Sequence, residues 1–566
     1  MMAREQLPVL DRPLPSEPPA RALPRARRWL TPLLVGVLLA QMAVAMVTTA
    51  VEQTPTIDEP VYVGTAAEYL HEHRVLHNPE HPPLGKLVIA LGVAVADPHY
   101  DSSFTGDQGE TGRHLLYGSG NDPWRLMLWA RLPVIALTLA FGLVVFAFAR
   151  ELAGRVGGSA ALALYAFSPD VIAHGSLATL DVPAAGFILT AAWLLWRARL
   201  RPRLYLPLAG AAVGAALATR MSALAVVPVL LGLAAWSVWR AGGARDRRRA
   251  LVRAACAVCG VAVVAVAVVW LTYLVVDPRL RWTPRQHIPV VHGLRGLLVA
   301  LSPFPEAYRD GMRVQFGFEN YPWQGFLFGR VYTGSLWYYL PVALLVKTPL
   351  GMLALWAAGS VTVLAVRRVR PAAPYLLLPS AVLLLAAMTG ARDLGTRYAV
   401  FMPMFLAVAA GCLLVLRGRR TGAVAGALVL FVAVSSLRAF PFYLPYSNEA
   451  FGGPDKTRLR LHDSNVDWGQ DLGRLADRLR HRYPGQRVWL VYKGSGVPSY
   501  YGIRASDPRK VDPRRVRGLL VVSDSSAAKA KGRLAELIER SRSIDHVGYS
   551  ITIYRPDSVT GTRNHS

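Results

Sequence analysis

Cysteine is nearly missing from this chain: three residues in 566, Cys256, Cys259 and Cys412, all inside apolar stretches. No disulfide framework can be built outside those stretches, and the C-x-x-C at 256–259 sits where side chains pack rather than where a metal or redox couple is served. Acidic residues are also scarce, 36 Asp and Glu against 63 Lys and Arg, which leaves a net charge of +27. No Gly-rich phosphate-cradling loop is present, so the chain shows no sign of a nucleotide site. No internal repeat is visible either. Residues 1–29 hold no apolar pattern before Trp29; they read as a Pro- and Arg-rich disordered cytoplasmic leader. The first apolar block lacks a small-residue cleavage site and reads as a retained anchor.

What the chain has in quantity is hydrophobic residues, 53 % of the total, gathered in blocks. A bilayer core of about 30 Å takes roughly 20 apolar residues in a helix to cross, and only a helix satisfies its own backbone in lipid. Blocks of this kind lie at 30–50, 127–149, 157–173, 178–196, 203–219, 222–239, 251–276, 336–366, 373–390, 398–416 and 422–440. The expectation is a polytopic α-helical membrane protein of about eleven transmembrane helices.

The distribution of charge then sets an orientation. Basic clusters fall at Arg21–Arg28, Arg150–Arg155, Arg197–Arg203, Arg240–Arg253, Arg367–Arg370 and Arg417–Arg420, in every second connection. The intervening loop 52–126 carries eleven acids and four bases. That alternation is the positive-inside pattern, and it argues against nucleic acid as the partner of the excess charge. The N-terminus is expected inside, with the loops 52–126 and 277–334 outside. A transmembrane domain would run over 30–457. After it, residues 458–566 change character: strands are expected at 487–492, 517–523 and 548–554, and helices at 469–482 and 526–540. This is a small extracytoplasmic α/β domain. Within the first loop, Leu84–Ala96 is apolar but too short to span and is expected at the membrane surface.

Ionisable residues gather at the expected outer ends of the helices. Asp58 and Glu59 are adjacent carboxylates just beyond the first block; a solvated loop start would explain them equally well if they stood alone. Some twenty residues later, His81-Pro82-Pro83-Leu84-Gly85-Lys86 forms a proline-stiffened turn able to hold His81 and Lys86 in place near them. Asp181 lies in HGSLATLDVPAAGF among apolar residues, where an acid is costly unless it complements a helix start or faces a polar cavity or a cation. Arg220, Lys347, Arg392 and Arg397 occupy outer helix ends. One such cation simply snorkels to headgroups; several together can hold a lipid-linked phosphate. A carboxylate beside a cationic phosphate site points to displacement of a sugar from a lipid phosphate. The carboxylate takes the proton of an attacking hydroxyl, and the cations stabilise the departing phosphate. Transport is the rival reading, and it would put charges near the midplane and symmetry in the sequence.

In order along the chain, Asp58–Glu59, HPPLGK at 81–86, HGSLATLDVP, LATR at 217–220, YYLPVALLVKTP at 338–349, LGTRYAVFMPMF at 394–405 and DSNVDWGQDL at 463–472 are similar to one family. The chain resembles the C-type glycosyltransferases, specifically the protein O-mannosyltransferase-like group, glycosyltransferase family 39, over about residues 30–475. The resemblance implies a polyprenyl-phosphate sugar as donor, a mannose or another hexose or pentose as the sugar, and inversion at the anomeric carbon. It also implies Asp58 as the base with Glu59 as its partner and Asp181 as a second acid; Lys86, Arg220 and Arg397 would lie near the donor phosphate. The chain departs from the eukaryotic members in lacking a β-trefoil in its outer loops, so the acceptor stays open among glycan, lipid and protein. Metal use stays open as well, with Glu59, Glu80 and His81 the candidate ligands of a divalent ion. The Ala- and Arg-rich composition fits a high-GC bacterium, which puts the chain in the plasma membrane with its site facing outward.

Overall fold

The computed structural model describes residues 25–241 and 247–557. The expected leader therefore lies almost wholly outside the described residues. A helical bundle is built from α1 (Arg25–Glu52), α2 (Glu59–His71), α3 (Pro83–Ala96), α4 (Gln108–Arg113), α5 (Pro123–Ala166), α6 (Pro169–Gly175), α7 (Asp181–Ala198), α8 (Pro202–Thr219), α9 (Val227–Ala241) and α10 (Arg247–Val276). It continues through α11 (Gly293–Leu301), α12 (Glu306–Phe318), the hairpin β1–β2 (Gln324–Leu327, Arg330–Thr333), α13 (Tyr339–Lys347), α14 (Leu350–Ala365), α15 (Ala373–Met388), α16 (Phe401–Gly411), α17 (Arg419–Arg438) and the single turn α18 (Pro454–Thr457).

A helix occupies every one of the eleven apolar blocks, though not every block is a straight span by itself. Among the described residues six helices are long and apolar enough to cross a membrane, or seven if the bent pair α13–α14 is one span. The shortfall has local causes. The block at 157–173 is the part of α5 beyond a kink at Gly154, where φ is +78°, followed, after a break at Phe167 and Ser168, by the short α6. Helices α7 and α8, at 18 residues each, are near the shortest length that crosses and are diluted by Asp181 and Arg197 in α7 and Arg203 in α8. The block at 336–366 bends by 118° between Lys347 and Leu350, where Pro349 has no N–H to donate and disfavours helix at the residue before it. Cys256 and Cys259 lie on an exposed face of α10, and Cys412 is buried after α16.

The non-spanning helices α2 and α3 pack together and α3 packs along α5. That approach is close enough that a Cβ on Gly92 would stand 1.8 Å from the Trp129 carbonyl oxygen, so a larger residue there would push α3 off α5.

The C-terminal domain comprises α19 (Leu472–Arg482), β3 (Val488–Val491), β4 (Ala505–Ser506), β5 (Leu519–Ser523), α20 (Asp524–Ala528), α21 (Arg533–Glu539), β6 (Ser541–Val547) and β7 (Ile551–Pro556). Its sheet has the order β4-β3-β5-β7-β6, parallel across β4-β3-β5 and antiparallel across β5-β7-β6. Side chains alternate along β5: Leu519 and Val521 join the core under α19, while Leu520 and Val522 join the core under α21. The result is the expected small α/β unit, with β4 and β6 added and the helix expected over 526–540 divided in two. Leu461, Val466 and Trp468 belong to the core of the bundle, whereas Leu472 begins that of the domain. The cores thus divide after residue 468, later in the chain than the expected boundary at 457/458.

Candidate active site

Asp58 caps the start of α2 without bonding to it, and its side chain keeps 27 % of its surface exposed. Its partner is remote in sequence. Arg397, on the 3₁₀ turn Thr396–Ala399, donates from Nη1 to Asp58 Oδ2. The same guanidinium lies over the Trp468 ring, 4.4 Å from its centroid, and donates to the Tyr398 hydroxyl at 3.2 Å. Its Nε is buried and meets no acceptor among the described residues.

Arg397 also lines a cavity of about 380 Å³ between α7, α12 and α15. One part of its wall is polar, with Asp181, Arg220, Gln315, Glu319, Arg392 and Arg397; another is apolar, with Ala184, Ile188, Leu383, Ala387 and Phe401 among its residues. Asp181, the first residue of α7, forms an ion pair with Arg220, which sits at the break between α8 and the following 3₁₀ turn. Three guanidinium groups surround one ring: Arg397, Arg220 and Arg392 lie 5.0, 5.4 and 5.9 Å from the centroid of Tyr398. The negative face of that ring offsets part of their mutual repulsion. Such a concentration of cations beside an apolar wall suits an anionic head group on a hydrocarbon chain.

His81 borders this region, its ring edge-on to Tyr62 at 5.6 Å. Desolvation, and after it the positive charges of Arg220, Lys86, Arg392 and Arg397, push its pKa well below the usual value, so the ring is neutral at pH 7. Its Nδ1 is buried and meets no partner among the described residues.

The remaining expected site residues face elsewhere. Glu59 is fully buried and receives five hydrogen bonds: from Arg131 Nε and Nη2 at 2.7 Å each, from the Thr56 N–H at 2.8 Å and hydroxyl at 3.1 Å, and from the Ala178 N–H at 2.8 Å. Arg131 also donates to the carbonyls of Ala50 and Gln53 at 2.6 and 2.8 Å. Burial alone would push the Glu59 carboxyl up; the Arg131 guanidinium and the N–H groups outweigh it and hold it below the usual carboxylate range. With its acceptor positions filled, Glu59 ties the end of α1 and the start of α2 to α5 and so fixes the residue beside it, Asp58. Its contacts in the structure are those of a structural anchor.

Lys86 is likewise engaged by the protein itself. Its ammonium is fully buried and donates to the Asn78 carbonyl at 2.8 Å, the Asn78 side chain at 3.2 Å and the His81 carbonyl at 2.7 Å. All three N–H groups serve the turn that carries His81. Burial, partly opposed by Glu80 and Glu68, brings its pKa down to about 7. Lys86→Met should therefore lower the melting temperature, because it takes the ammonium donor away from the Asn78 side-chain oxygen and the His81 carbonyl, at about 1–3 kcal/mol for a buried acceptor left unpaired, while leaving the donor KM within about twofold. A tenfold rise in donor KM with unchanged melting would return Lys86 to the phosphate site.

Lys347 is also buried, donating to the carbonyls of Leu444 and, at 3.0 Å, Asn465, with Asp170 at 3.8 Å. It joins the bend after α13 to the chain leading into the C-terminal domain and does not line the cavity. Glu80 bonds Asn78 and Gln108 at 2.9 and 3.0 Å, and among the described residues no group of three or more His, Cys, Asp or Glu side chains could hold a metal ion. The Glu59, Glu80 and His81 set is not assembled. Sequence reasoning missed Arg131, Tyr398 and Trp468. Tyr398, the neighbour of Arg397 in LGTRYAVF, and Trp468, inside DSNVDWGQDL, stood in motifs, whereas Arg131 carried no signal.

Residues 35–280, less than half of the chain, match the model of the family described as Dolichyl-phosphate-mannose-protein mannosyltransferase. No curated protein matches by sequence. Among solved structures, the chain is similar to ArnT from Cupriavidus metallidurans bound to undecaprenyl phosphate, at 16 % identity and a TM-score of 0.46, over 94 % of this chain and 98 % of that one. It is similar to the S. cerevisiae protein O-mannosyltransferase Pmt1-Pmt2 complex bound to the sugar donor at 19 % identity and 0.34, over 44 % and 33 % of the two chains. For AglB, the archaeal oligosaccharyltransferase of Archaeoglobus fulgidus in complex with an inhibitory peptide and a dolichol-phosphate, the values are 13 % and 0.45, over 81 % and 59 %.

Proposed function

We propose that this chain, a multi-pass membrane glycosyltransferase of the C type, moves a sugar from a polyprenyl phosphate to an acceptor hydroxyl, with Asp58 as general base and inversion at the anomeric carbon. The observation that carries the reading is the join between Asp58 and the cavity. The half-exposed carboxylate is paired with Arg397, and Arg397 shares a partly apolar cavity with Arg220 and Arg392.

The chemistry follows from that geometry. The donor phosphate lies against the guanidinium groups and its isoprenoid chain against the Leu383 and Ala387 side. Phosphate oxygens compete with Asp58 for Arg397, which frees the carboxylate as the anion takes its cation. An acceptor oxygen then forms a bond to the anomeric carbon while the bond from that carbon to the phosphate oxygen breaks. Asp58 receives the acceptor proton, and the negative charge that builds on the departing phosphate is met by Arg397, Arg220 and Arg392. Asp181 holds Arg220 in place. His81, neutral among these cations, offers a hydrogen-bonding ring at the same border without adding charge.

The sugar is mannose or another hexose or pentose, and the acceptor is a glycan, lipid or protein. The site and the C-terminal domain face the extracytoplasmic side of a bacterial plasma membrane in this reading, an orientation supported by the alternation of basic connections and a source supported by the Ala- and Arg-rich composition.

Arg220→Ala tests the donor site. Loss of a charge-assisted contact worth about 1.5–3 kcal/mol should raise the donor KM by about 10- to 100-fold and leave the acceptor KM within about threefold, both measured on protein whose folded fraction has been checked by melting. Unchanged donor affinity, or an equal rise for both substrates, would remove Arg220 from the donor site.

A further inference from the structure

The segment 463–471 looks at first like a connection between the bundle and the C-terminal domain. Its hydrogen bonds show a second office. At one end, Ser464 Oγ donates to the Leu394 carbonyl at 2.8 Å, and the Thr396 N–H donates to Asn465 Oδ1 at 3.1 Å. Those bonds fasten the residues immediately before Arg397. At the other end the Ile57 N–H donates to the Trp468 carbonyl at 3.0 Å, and the Thr54 N–H donates to the Gln470 carbonyl at 3.0 Å. Those bonds fasten the residues immediately before Asp58. One strap of nine residues thus holds both halves of the ion pair, though Asp58 and Arg397 are 339 residues apart in sequence.

The fit at the first end is tight. Gly395 has a φ of +154°, and a Cβ there would stand 2.1 Å from Ser464 Oγ, so the approach needs a residue without one. Asn465 is fully committed: besides Thr396 it donates to the Tyr339 hydroxyl at 2.9 Å and the His462 carbonyl at 3.0 Å. Trp468 is buried, and its ring is the surface on which the Arg397 guanidinium lies, with His174 edge-on at 6.0 Å. A guanidinium held over the negative face of a ring is favoured there, and from that seat Arg397 reaches Asp58 with Nη1 while lining the cavity an anion would enter.

We propose that Trp468 is a positioning residue, and that the strap 463–471 aligns the Asp58–Arg397 pair for transfer. The inference rests on the reading of Asp58 as base and Arg397 as phosphate ligand. It makes the junction with the C-terminal domain part of the catalytic unit rather than a tether.

Two measurements on the full-length protein separate this inference from the reading beneath it. The first is a double-mutant cycle on thermal unfolding with Trp468→Leu, Arg397→Gln and the pair; it needs no substrate. The double variant should lose less than the sum of the single losses, because each single change already removes the shared contact. Additive losses would overturn the positioning role whatever the protein transfers. The second is turnover with a polyprenyl-phosphate sugar. Trp468→Leu should lower kcat about tenfold and raise the donor KM, while Trp468→Phe stays within about threefold of wild type and the acceptor KM does not move. Equal losses for Leu and Phe, in step with melting, would mean a core residue only and overturn the proposal. Where Trp468→Leu does not fold, Asn465→Ser carries the test: it releases Thr396 without touching the ring, and an unchanged kcat would count against the strap. Coupling in the cycle with no turnover by wild type would uphold the positioning and overturn the donor reading alone.

Discussion

Asp58→Asn should lower kcat by about 10³-fold, within the range of about 10²–10⁴ that a positioned general base contributes, while the protein inserts, purifies and melts as the wild type does. The variant keeps the shape of the side chain and its oxygen for Arg397 but removes the charge that takes the acceptor proton. The fold is expected to tolerate it because Asp58 keeps 27 % of its surface exposed and makes no cap bond to α2. Donor affinity should hold or rise slightly, since the phosphate no longer competes with a carboxylate for Arg397. The decisive comparison is kcat against donor KM on protein of matched melting temperature. Wild-type-like turnover would remove Asp58 as the base. A collapse in melting would instead show that the ion pair serves the fold.

The neighbouring carboxylate should behave in the opposite manner. Glu59→Ala leaves the buried Arg131 guanidinium without its counter-charge, and removing one partner of a buried, hydrogen-bonded pair costs about 3–5 kcal/mol. Arg131→Leu exposes the same dependence from the other side, leaving Glu59 a buried anion. Both variants should therefore be recovered in low yield and melt far below wild type. The folded remainder should lose far less kcat per molecule than Asp58→Asn does, because neither side chain lines the cavity and Glu59 acts on Asp58 only by holding it in place. Fluorescence-detected size exclusion against temperature, with activity normalised to folded protein, reads both quantities. A Glu59→Ala protein that melts normally but turns over a hundredfold more slowly would make Glu59 a participant in the chemistry. Adjacent carboxylates in one dipeptide would then share a role that their surroundings, one half-open and one sealed by five donors, assign to only one of them.

Much of the architecture is legible in the pattern of apolar blocks because each block has to become a helix wherever lipid surrounds it. What the pattern does not carry is where a helix breaks. The bend at Thr348 and Pro349 had a signal in the proline. The break at Phe167 had its signal in Ser168-Pro169-Asp170, a helix-start pattern inside a block that mean hydropathy reads as continuous. The strand β6, SRSIDHV, was missed because its edge position lets polar residues occupy it, with Arg542 and Ser543 turned to solvent. In the site, Asp58, Asp181, Arg220 and Arg397 are readable as ionisable groups at helix ends; the structure brings the last three to one cavity and pairs Asp58 with Arg397 at its border. Lys86 and Lys347 read the same way in sequence. Only the fold distinguishes a cation that faces a cavity from one enclosed by carbonyls, since Lys347 meets oxygens 97 and 118 residues away. Arg131 lay inside an apolar block with nothing to mark it, and Trp468 stood in a motif whose acids drew attention away from its ring.

The most direct test of the account is transfer in proteoliposomes from a polyprenyl phosphate carrying a radiolabelled sugar, with products separated by carrier phosphate release and by anomeric configuration. The account predicts that each labelled sugar appearing on an acceptor is matched by one free polyprenyl phosphate, with the configuration at the anomeric carbon inverted. Labelled lipid that crosses the bilayer intact, with no carrier phosphate released, would contradict it and make the protein a transporter of the lipid it was expected to cleave.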